Sequence, residues 1–227
     1  MASPEQPPLP LLFLIGDTGG GHRSAAAAVA QALEHLRPGR FVPVICDPLR
    51  GPDVPRLLRW FSGLYGPCIR LTPWLWWLFW RASDSPRGLR AVRRTVMAPV
   101  YGSVTRAAAA CRPALIVAFH PMTADPAVRA RDLTGPLAPV VTVITDLVTA
   151  HLSWRDAAVD RVIVPSPEMA IAATSASGGT RRCLLTRLDT RWSLMQPPLG
   201  RGWIVCGSYT AANFPSADKA NGVSPRW

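Results

Sequence analysis

An apolar run that stops at a glycine-rich turn decides the fold class of this chain. Residues 9–15 are apolar and predict a buried strand, and residues 24–36 are rich in alanine and predict a helix that a Pro-Gly pair ends. Residues 41–46 predict a second strand. A strand, a helix and a strand in this order normally form two parallel strands joined by a right-handed crossover. We therefore predict an α/β fold built on a parallel sheet.

The same alternation continues along the chain. Three later apolar runs predict strands, at residues 114–119, 140–145 and 161–164. Residues 53–112 predict helical and irregular pieces, including a long helix at 87–111 that Pro99 must kink or split. Alternating strands and helices predict a Rossmann-like open sheet, in which ligands bind at the carboxyl edge of the strands.

The alternation ends near residue 175. Residues 176–227 are rich in Ser, Gly, Pro and Thr without sustained periodicity, which predicts a disordered or irregular tail. We expect residues 1–8 to form a flexible N-terminus and residues 9–175 to form one domain of ordinary size.

Positive charge is concentrated in the middle of the chain. The sequence has 25 basic and 14 acidic residues and a net charge of +11. Residues 50–112 contain 11 arginines against two acids, Asp53 and Asp84, and so carry nine of those charges. A basic segment of this kind indicates a polyanionic partner, either a nucleic acid or an anionic membrane surface.

The cysteines and the N-terminus bear on the compartment. The five cysteines show neither CxxC nor paired zinc spacing, and the N-terminus has no signal-peptide pattern. No apolar run reaches the roughly 18–20 residues that span a bilayer. We therefore expect a reduced, cytosolic environment and no metal site.

Four of the nine tryptophans lie within seven residues. They are Trp74, Trp76, Trp77 and Trp80, with Arg70 before them and Arg81 after them. Tryptophan favours the membrane interface and arginine favours anionic head groups, so this block predicts a membrane-docking helix. A core helix or an oligomer contact is the plainer alternative. Binding to single-stranded nucleic acid is less favoured, because the aromatic residues form one block instead of alternating with arginine.

The glycine turn joins the first strand to the first helix. It includes Gly19, Gly20 and Gly21, and His22 follows where the helix begins. Glycine lets the backbone approach a ligand closely, and a helix N-terminus attracts anions. A histidine at this edge can take a proton from a hydroxyl near neutral pH. The alternative is that the glycines only join strand to helix.

Other polar residues follow the later strands. His120 comes directly after the third strand, and Asp146 ends the fourth. His151 and Trp154 follow Asp146 within a few residues. Asp146 could orient His22 or bind a hydroxyl, and Trp154 could cover a lipid or sugar face. The alternatives are a structural histidine and an aspartate that caps a turn.

Four segments together resemble the monogalactosyldiacylglycerol synthases and the related bacterial processive diacylglycerol glucosyltransferases. They are DTGGGHRSA at residues 17–25, FHPM at 119–122, VITDLVTAHLSW at 143–154 and VPSPE at 164–168. Four motifs in the right order over residues 11–170 make the resemblance specific.

The resemblance implies a fold, a reaction and residue roles. It implies the N-terminal, acceptor-binding and membrane-binding half of a GT-B glycosyltransferase, which moves a hexose from a UDP-sugar to diacylglycerol with inversion and without a metal cofactor. By this analogy His22 would be the base, and Asp17 or Asp146 would support it. The glycines of the turn would lie close to the donor phosphates, with His120, His151 and Trp154 nearby. The protein would act peripherally on the cytoplasmic side of a membrane, with anionic lipid as a partner and without nucleic acid.

Two departures qualify the resemblance. Leu152 stands where the family usually has Pro after the histidine. Residues 176–227 show no second Rossmann-like pattern for the UDP-sugar, so we interpret them as a truncated or frame-shifted end and expect this chain alone not to transfer sugar. A catalytically inactive lipid-binding remnant and one half of a split enzyme remain alternatives.

Overall fold

A computed structural model of the chain describes residues 7–16, 20–52, 54–134, 138–146, 151–155, 158–166, 169, 183–186 and 205–209. The strands are β1 (Leu9–Leu14), β2 (Phe41–Cys46), β3 (Leu115–Ala118), β4 (Val140–Val143), β5 (Arg161–Val164), β6 (Cys183–Thr186) and β7 (Val205–Tyr209). The helices are α1 (Gly21–Leu36), α2 (Arg56–Gly63), α3 (Tyr65–Leu71), α4 (Pro73–Ser83), α5 (Pro86–Thr95), α6 (Ala98–Cys111), α7 (Pro121–Thr134) and α8 (Leu152–Arg155), and Pro48–Arg50 form a 3₁₀ turn.

The strands form one sheet in the order β2-β1-β3-β4-β5-β6-β7. Neighbouring strands are parallel from β2 to β6, and β7 is antiparallel to β6. The chain moves from β1 outward to β2 and then crosses back to β3 on the other side of β1. This change of direction makes the carboxyl edge between β1 and β3 a topological switch point, where open α/β sheets bind their ligands.

Helices cover both faces of the sheet, which is why β1 is apolar at successive positions. Leu11 and Phe13 face a cluster that includes Ala26 of α1. Leu12 and Leu14 face the opposite cluster, which contains residues of α6 and α7 such as Val104. Each fully buried Leu or Phe side chain contributes about 1.5–3 kcal/mol, so β1 anchors the fold from both sides.

The predicted α/β architecture is confirmed, with corrections to individual elements. The helix predicted at 87–111 is split, as one of the two outcomes expected from Pro99: it forms α5 and α6, and Pro99 lies in the first turn of α6, where its missing N–H costs nothing. Helix α1 begins at Gly21, three residues earlier than predicted. The sequence predicted no strand after residue 175, whereas the structure describes β6 and β7 there.

Two other expectations concern the chain termini and membrane-spanning segments. Residues 1–6 and most of 176–227 lie outside the described residues, so the flexible N-terminus and the irregular tail stay predictions. Among the described helices, none combines the length and apolarity that a membrane span requires.

Candidate functional site

The carboxyl ends of β1, β3 and β4 bring three sequence-distant segments together. His22 lies in the first turn of α1, His120 lies between β3 and α7, and Thr145 follows β4. The rings of His22 and His120 meet edge to face, with 4.6 Å between centroids. Thr145 Oγ1 lies 3.1 Å from His22 Nδ1. The cluster thus occupies the topological switch point of the sheet.

His120 is buried at the base of this cluster. The N–H of Met122 donates to its Nδ1 at 3.2 Å, so Nε2 carries the proton of the neutral ring. Burial, reinforced by the neighbouring His22, lowers the pKa of His120 to about 3. His120 is therefore neutral at physiological pH and supports His22 from beneath.

His22 is only half-buried and faces the edge of the sheet. Burial lowers the pKa of His22 below its usual value, although a hydrogen bond with the Phe119 backbone and the charge of Asp146 oppose that shift. A neutral imidazole at pH 7 can accept a proton from a hydroxyl group. Asp146 would then stabilise the resulting imidazolium.

Asp146 is held in place by Trp154. The indole Nε1 donates to Asp146 Oδ2 at 2.6 Å. Trp154 is 1% exposed, so its ring packs in the interior. In this structure Trp154 positions a carboxylate, and its predicted contact with substrate stays a prediction.

His151 lies between α4 and α8 and is also buried. Its Nδ1 accepts from the Ser153 N–H at 3.2 Å, and its Nε2 lies 3.2 Å from Ser83 Oγ. The Trp80 ring and the imidazole pack edge to face, with 4.6 Å between centroids. Both ring nitrogens thus contact protein groups, which favours a positioning role over contact with a phosphate.

The described residues leave open space beside Gly20 and Gly21 at the start of α1. Gly20 has a φ of 84°, a left-handed conformation that favours glycine. Among the residues that the structure describes, no atom lies within 4 Å of a Cβ placed at Gly20 or Gly21, and no side chain caps the helix. An uncapped helix N-terminus beside open space is suited to an anion. Asp17 and Gly19 lie outside the described residues, so their roles stay predictions.

The tryptophan helix α4 presents part of its block to solvent. Trp74 and Trp77 are 66% and 62% exposed, whereas Trp76 and Trp80 are half-buried. Arg70 and Arg81, on α3 and at the end of α4, are both exposed. Leu57, Trp60 and Leu71 of α2 and α3 are exposed as well, so the apolar surface extends beyond one helix. An apolar surface of this extent indicates an interaction site.

Comparison with known proteins decides the family. The model of the monogalactosyldiacylglycerol (MGDG) synthase family matches residues 22–182, which is more than half of the chain. The chain belongs to the MGDG synthase family.

Plant relatives support the same assignment. The chain is 28% identical over 198 residues to the probable chloroplastic MGDG synthase of Nicotiana tabacum, covering 85% of this chain and 36% of that protein. It is 30% identical over 176 residues to the chloroplastic MGDG synthase of Spinacia oleracea, covering 76% and 33%. It is 29% identical over 202 residues to chloroplastic MGDG synthase 1 of Arabidopsis thaliana, covering 84% and 36%. The chain spans about a third of the length of these relatives.

Sequence analysis missed three residues of this MGDG synthase family member. Thr145 contacts His22, and Ser83 and Asp84 contact the segment around His151. Asp84 carried a signal, because it is one of only two acids in an arginine-rich segment. Ser83 carried none. Among the described residues, no group of three or more His, Cys, Asp or Glu side chains is placed to hold a metal ion.

Proposed function

We propose that this chain forms the acceptor-binding part of a hexosyltransferase that glycosylates diacylglycerol at a membrane surface. The observation that carries the proposal is the half-buried, neutral His22 at the switch point of the sheet, supported by His120 and facing Asp146. The names of the relatives supply the product, a monogalactosyldiacylglycerol.

In this proposal His22 acts as the general base. The free hydroxyl of diacylglycerol attacks the anomeric carbon of the sugar, and the bond from that carbon to UDP breaks. The hydroxyl proton moves to the His22 imidazole, and Asp146 stabilises the positive charge that forms. The N-terminus of α1 and the open turn at Gly20 and Gly21 stabilise the departing diphosphate.

The acceptor stays in its bilayer, so the protein must dock on the membrane. The exposed Trp74 and Trp77 would insert at the interface, and the exposed Arg70 and Arg81 would contact anionic head groups. Stable surface binding usually needs both an apolar and an electrostatic contribution. We propose a peripheral association with the cytoplasmic side of the membrane.

The UDP-sugar would be bound mainly by a second domain. The relatives are about three times as long as the segment that this chain matches. We therefore expect that this chain by itself does not turn over a UDP-hexose.

Two forms of the protein test the proposal together. The full chain, and a chimera that joins residues 1–182 to the remaining C-terminal part of the spinach relative, are assayed with UDP-galactose and diacylglycerol vesicles. We expect turnover from the chimera alone and a loss of about 10²–10⁴-fold in kcat for its His22→Ala variant. His35→Ala, on the exposed end of α1, is the matched control and should retain activity.

Each contrary result removes a defined part of the proposal. Turnover by the chain alone disproves the need for a second domain. A folded but inactive chimera that still binds vesicles favours a non-enzymatic lipid-binding protein. Full activity in His22→Ala removes His22 from the chemistry.

A further inference from the structure

The short helix α8 is capped by groups from outside its own turn. The Leu152 N–H donates to Asp84 Oδ1 at 2.7 Å, and Asp84 directly follows α4. The Ser153 N–H donates to His151 Nδ1, and the Trp154 N–H donates to the His151 carbonyl at 2.9 Å. The first N–H groups of a helix lack partners within it, so these contacts determine where α8 begins.

The same histidine also contacts α4 directly. Because His151 Nδ1 accepts from Ser153, its Nε2 carries the proton of the neutral ring and donates to Ser83 Oγ at 3.2 Å. Ser83 Oγ in turn donates to the Phe79 carbonyl at 2.7 Å. Trp80 covers the ring from the side of α4. His151 is therefore fixed to α4 by a hydrogen bond and by aromatic packing.

Helix α4 has two ends with different surroundings. Its C-terminal end contacts His151 and α8 through Ser83 and Asp84. Its earlier turns expose Trp74 and Trp77. One short helix of 11 residues thus joins the exposed tryptophans to the contacts with α8, and packed side chains, hydrogen bonds and rigid elements are what carry coupling between distant sites.

From α8 the contacts continue to the candidate base. Trp154, in α8, donates through its indole to Asp146, and the charge of Asp146 acts on His22. Hydrogen bonds at both ends of α8, joined by its backbone and the Trp154 side chain, therefore connect the end of α4 to the carboxylate beside His22.

We propose that His151 and Asp84 are positioning residues that couple the seating of α4 on a membrane to the placement of Trp154 and Asp146 at the candidate site. The inference rests on the proposed function, because it requires that α4 docks on a lipid surface. It adds a regulatory consequence: the carboxylate beside His22 is ordered when the protein is on the membrane that contains its acceptor.

The Leu152 N–H gives this coupling a precise test. A proline at position 152 would have no N–H to donate to Asp84. Pro is well tolerated at the first position of a helix, so Leu152→Pro removes this hydrogen bond with little other cost. Leu152→Ala removes the same side chain but keeps the N–H, and is the matched control.

Hydrogen exchange of the full chain measures both regions that the proposal couples, α4 and the start of α8. Amide exchange is measured by mass spectrometry with and without vesicles of phosphatidylglycerol and phosphatidylcholine. In the unmodified protein and in Leu152→Ala, we expect vesicles to slow exchange in α4 and to slow the Ser153 and Trp154 amides by about threefold or more. In Leu152→Pro, α4 should still be protected while the Ser153 and Trp154 amides no longer respond.

The outcomes separate this inference from the proposed function. Protection of α4 with unchanged Ser153 and Trp154 amides in the unmodified protein overturns the coupling and leaves membrane docking intact. An identical response in Leu152→Pro and Leu152→Ala overturns the role of the Asp84 contact. No protection of α4 or α8 overturns membrane docking and the coupling with it.

Discussion

His120 lies against Gly16, and its ring fits there because residue 16 has no side chain. A Cβ at this position would lie 2.5 Å from His120 Cδ2 and 2.9 Å from Nε2. The ring has little freedom to move away, since the Met122 N–H donates to its Nδ1 and the His22 ring packs on it. The glycine therefore contributes to the site as well as to the turn.

Gly16→Ala is expected to destabilise the fold. The added methyl overpacks a buried site, which typically costs about 1–3 kcal/mol of unfolding free energy. Urea denaturation followed by circular dichroism measures this change. Gly66→Ala in α3 is the control, because its Cβ would meet no atom within 4 Å, and it should be neutral or stabilising by up to about 1 kcal/mol. Equal stability of the two variants would contradict the packing argument.

Most of the strands could be predicted because they are short apolar runs bounded by Gly, Pro or polar residues. The predicted strands at 41–46 and 161–164 coincide with β2 and β5. The break between α5 and α6 followed from Pro99, because an interior proline removes a backbone hydrogen bond and kinks or breaks a helix. Strands β6 and β7 were missed, since short strands in a polar, aperiodic region are recognised only through their long-range pairing.

The part of the candidate site that lies at the ends of the strands was predictable from the sequence. Residues after β1, β3 and β4 must share one edge of a parallel sheet, which brings His22 near His120. The burial of Trp154 and the contact of His151 with Ser83 had no such basis, because that contact joins residues 68 positions apart. Helix α4 is apolar all round, so its sequence gave no indication that Trp80 packs inward.

The two classes of tryptophan in α4 should respond differently to substitution. Replacing the exposed Trp74 and Trp77 by Ala is expected to weaken vesicle binding at least about tenfold, because about 1.4 kcal/mol of apolar insertion is lost. The unfolding free energy should not change. Trp80→Ala should instead lower stability by about 1–3 kcal/mol, since it removes packing against His151. Co-sedimentation and urea denaturation measure the two effects.

A reversed pattern would change the interpretation of α4. Loss of stability in the Trp74 and Trp77 double variant, with vesicle binding unchanged, would indicate that this surface packs against protein.

At the scale of the whole molecule, the exposed positive charges and the exposed apolar surface lie on the same group of helices. All arginines of residues 50–112 are exposed except Arg93, which pairs with Asp125. Asp84, one of the two acids of that segment, accepts a hydrogen bond from the Leu152 N–H. The helices from α2 to α6 therefore combine positive charge with exposed aromatic residues, and both features suit an anionic membrane.

The position of the arginines, more than the net charge, should determine membrane affinity. Replacing Arg70 and Arg81 by Gln removes two charges beside α4, each worth about 1 kcal/mol near an anionic surface, so affinity for phosphatidylglycerol vesicles should fall about 30-fold at low salt. Replacing Arg37 and Arg112, which precede β2 and β3 and lie outside α3 and α4, removes the same amount of charge and should change affinity far less.

The difference between these variants should shrink as salt increases, because the Debye length falls from about 30 Å at 0.01 M to about 3 Å at 1 M. Vesicle co-sedimentation across this range, with single-stranded DNA as a competing ligand, provides the measurement.

Equal effects of the two substitutions would mean that net charge alone attracts the protein to the surface. Strong, steeply salt-dependent DNA binding without vesicle binding would instead make a nucleic acid the partner of the basic helices, and would leave the tryptophans of α4 as stacking surfaces for bases.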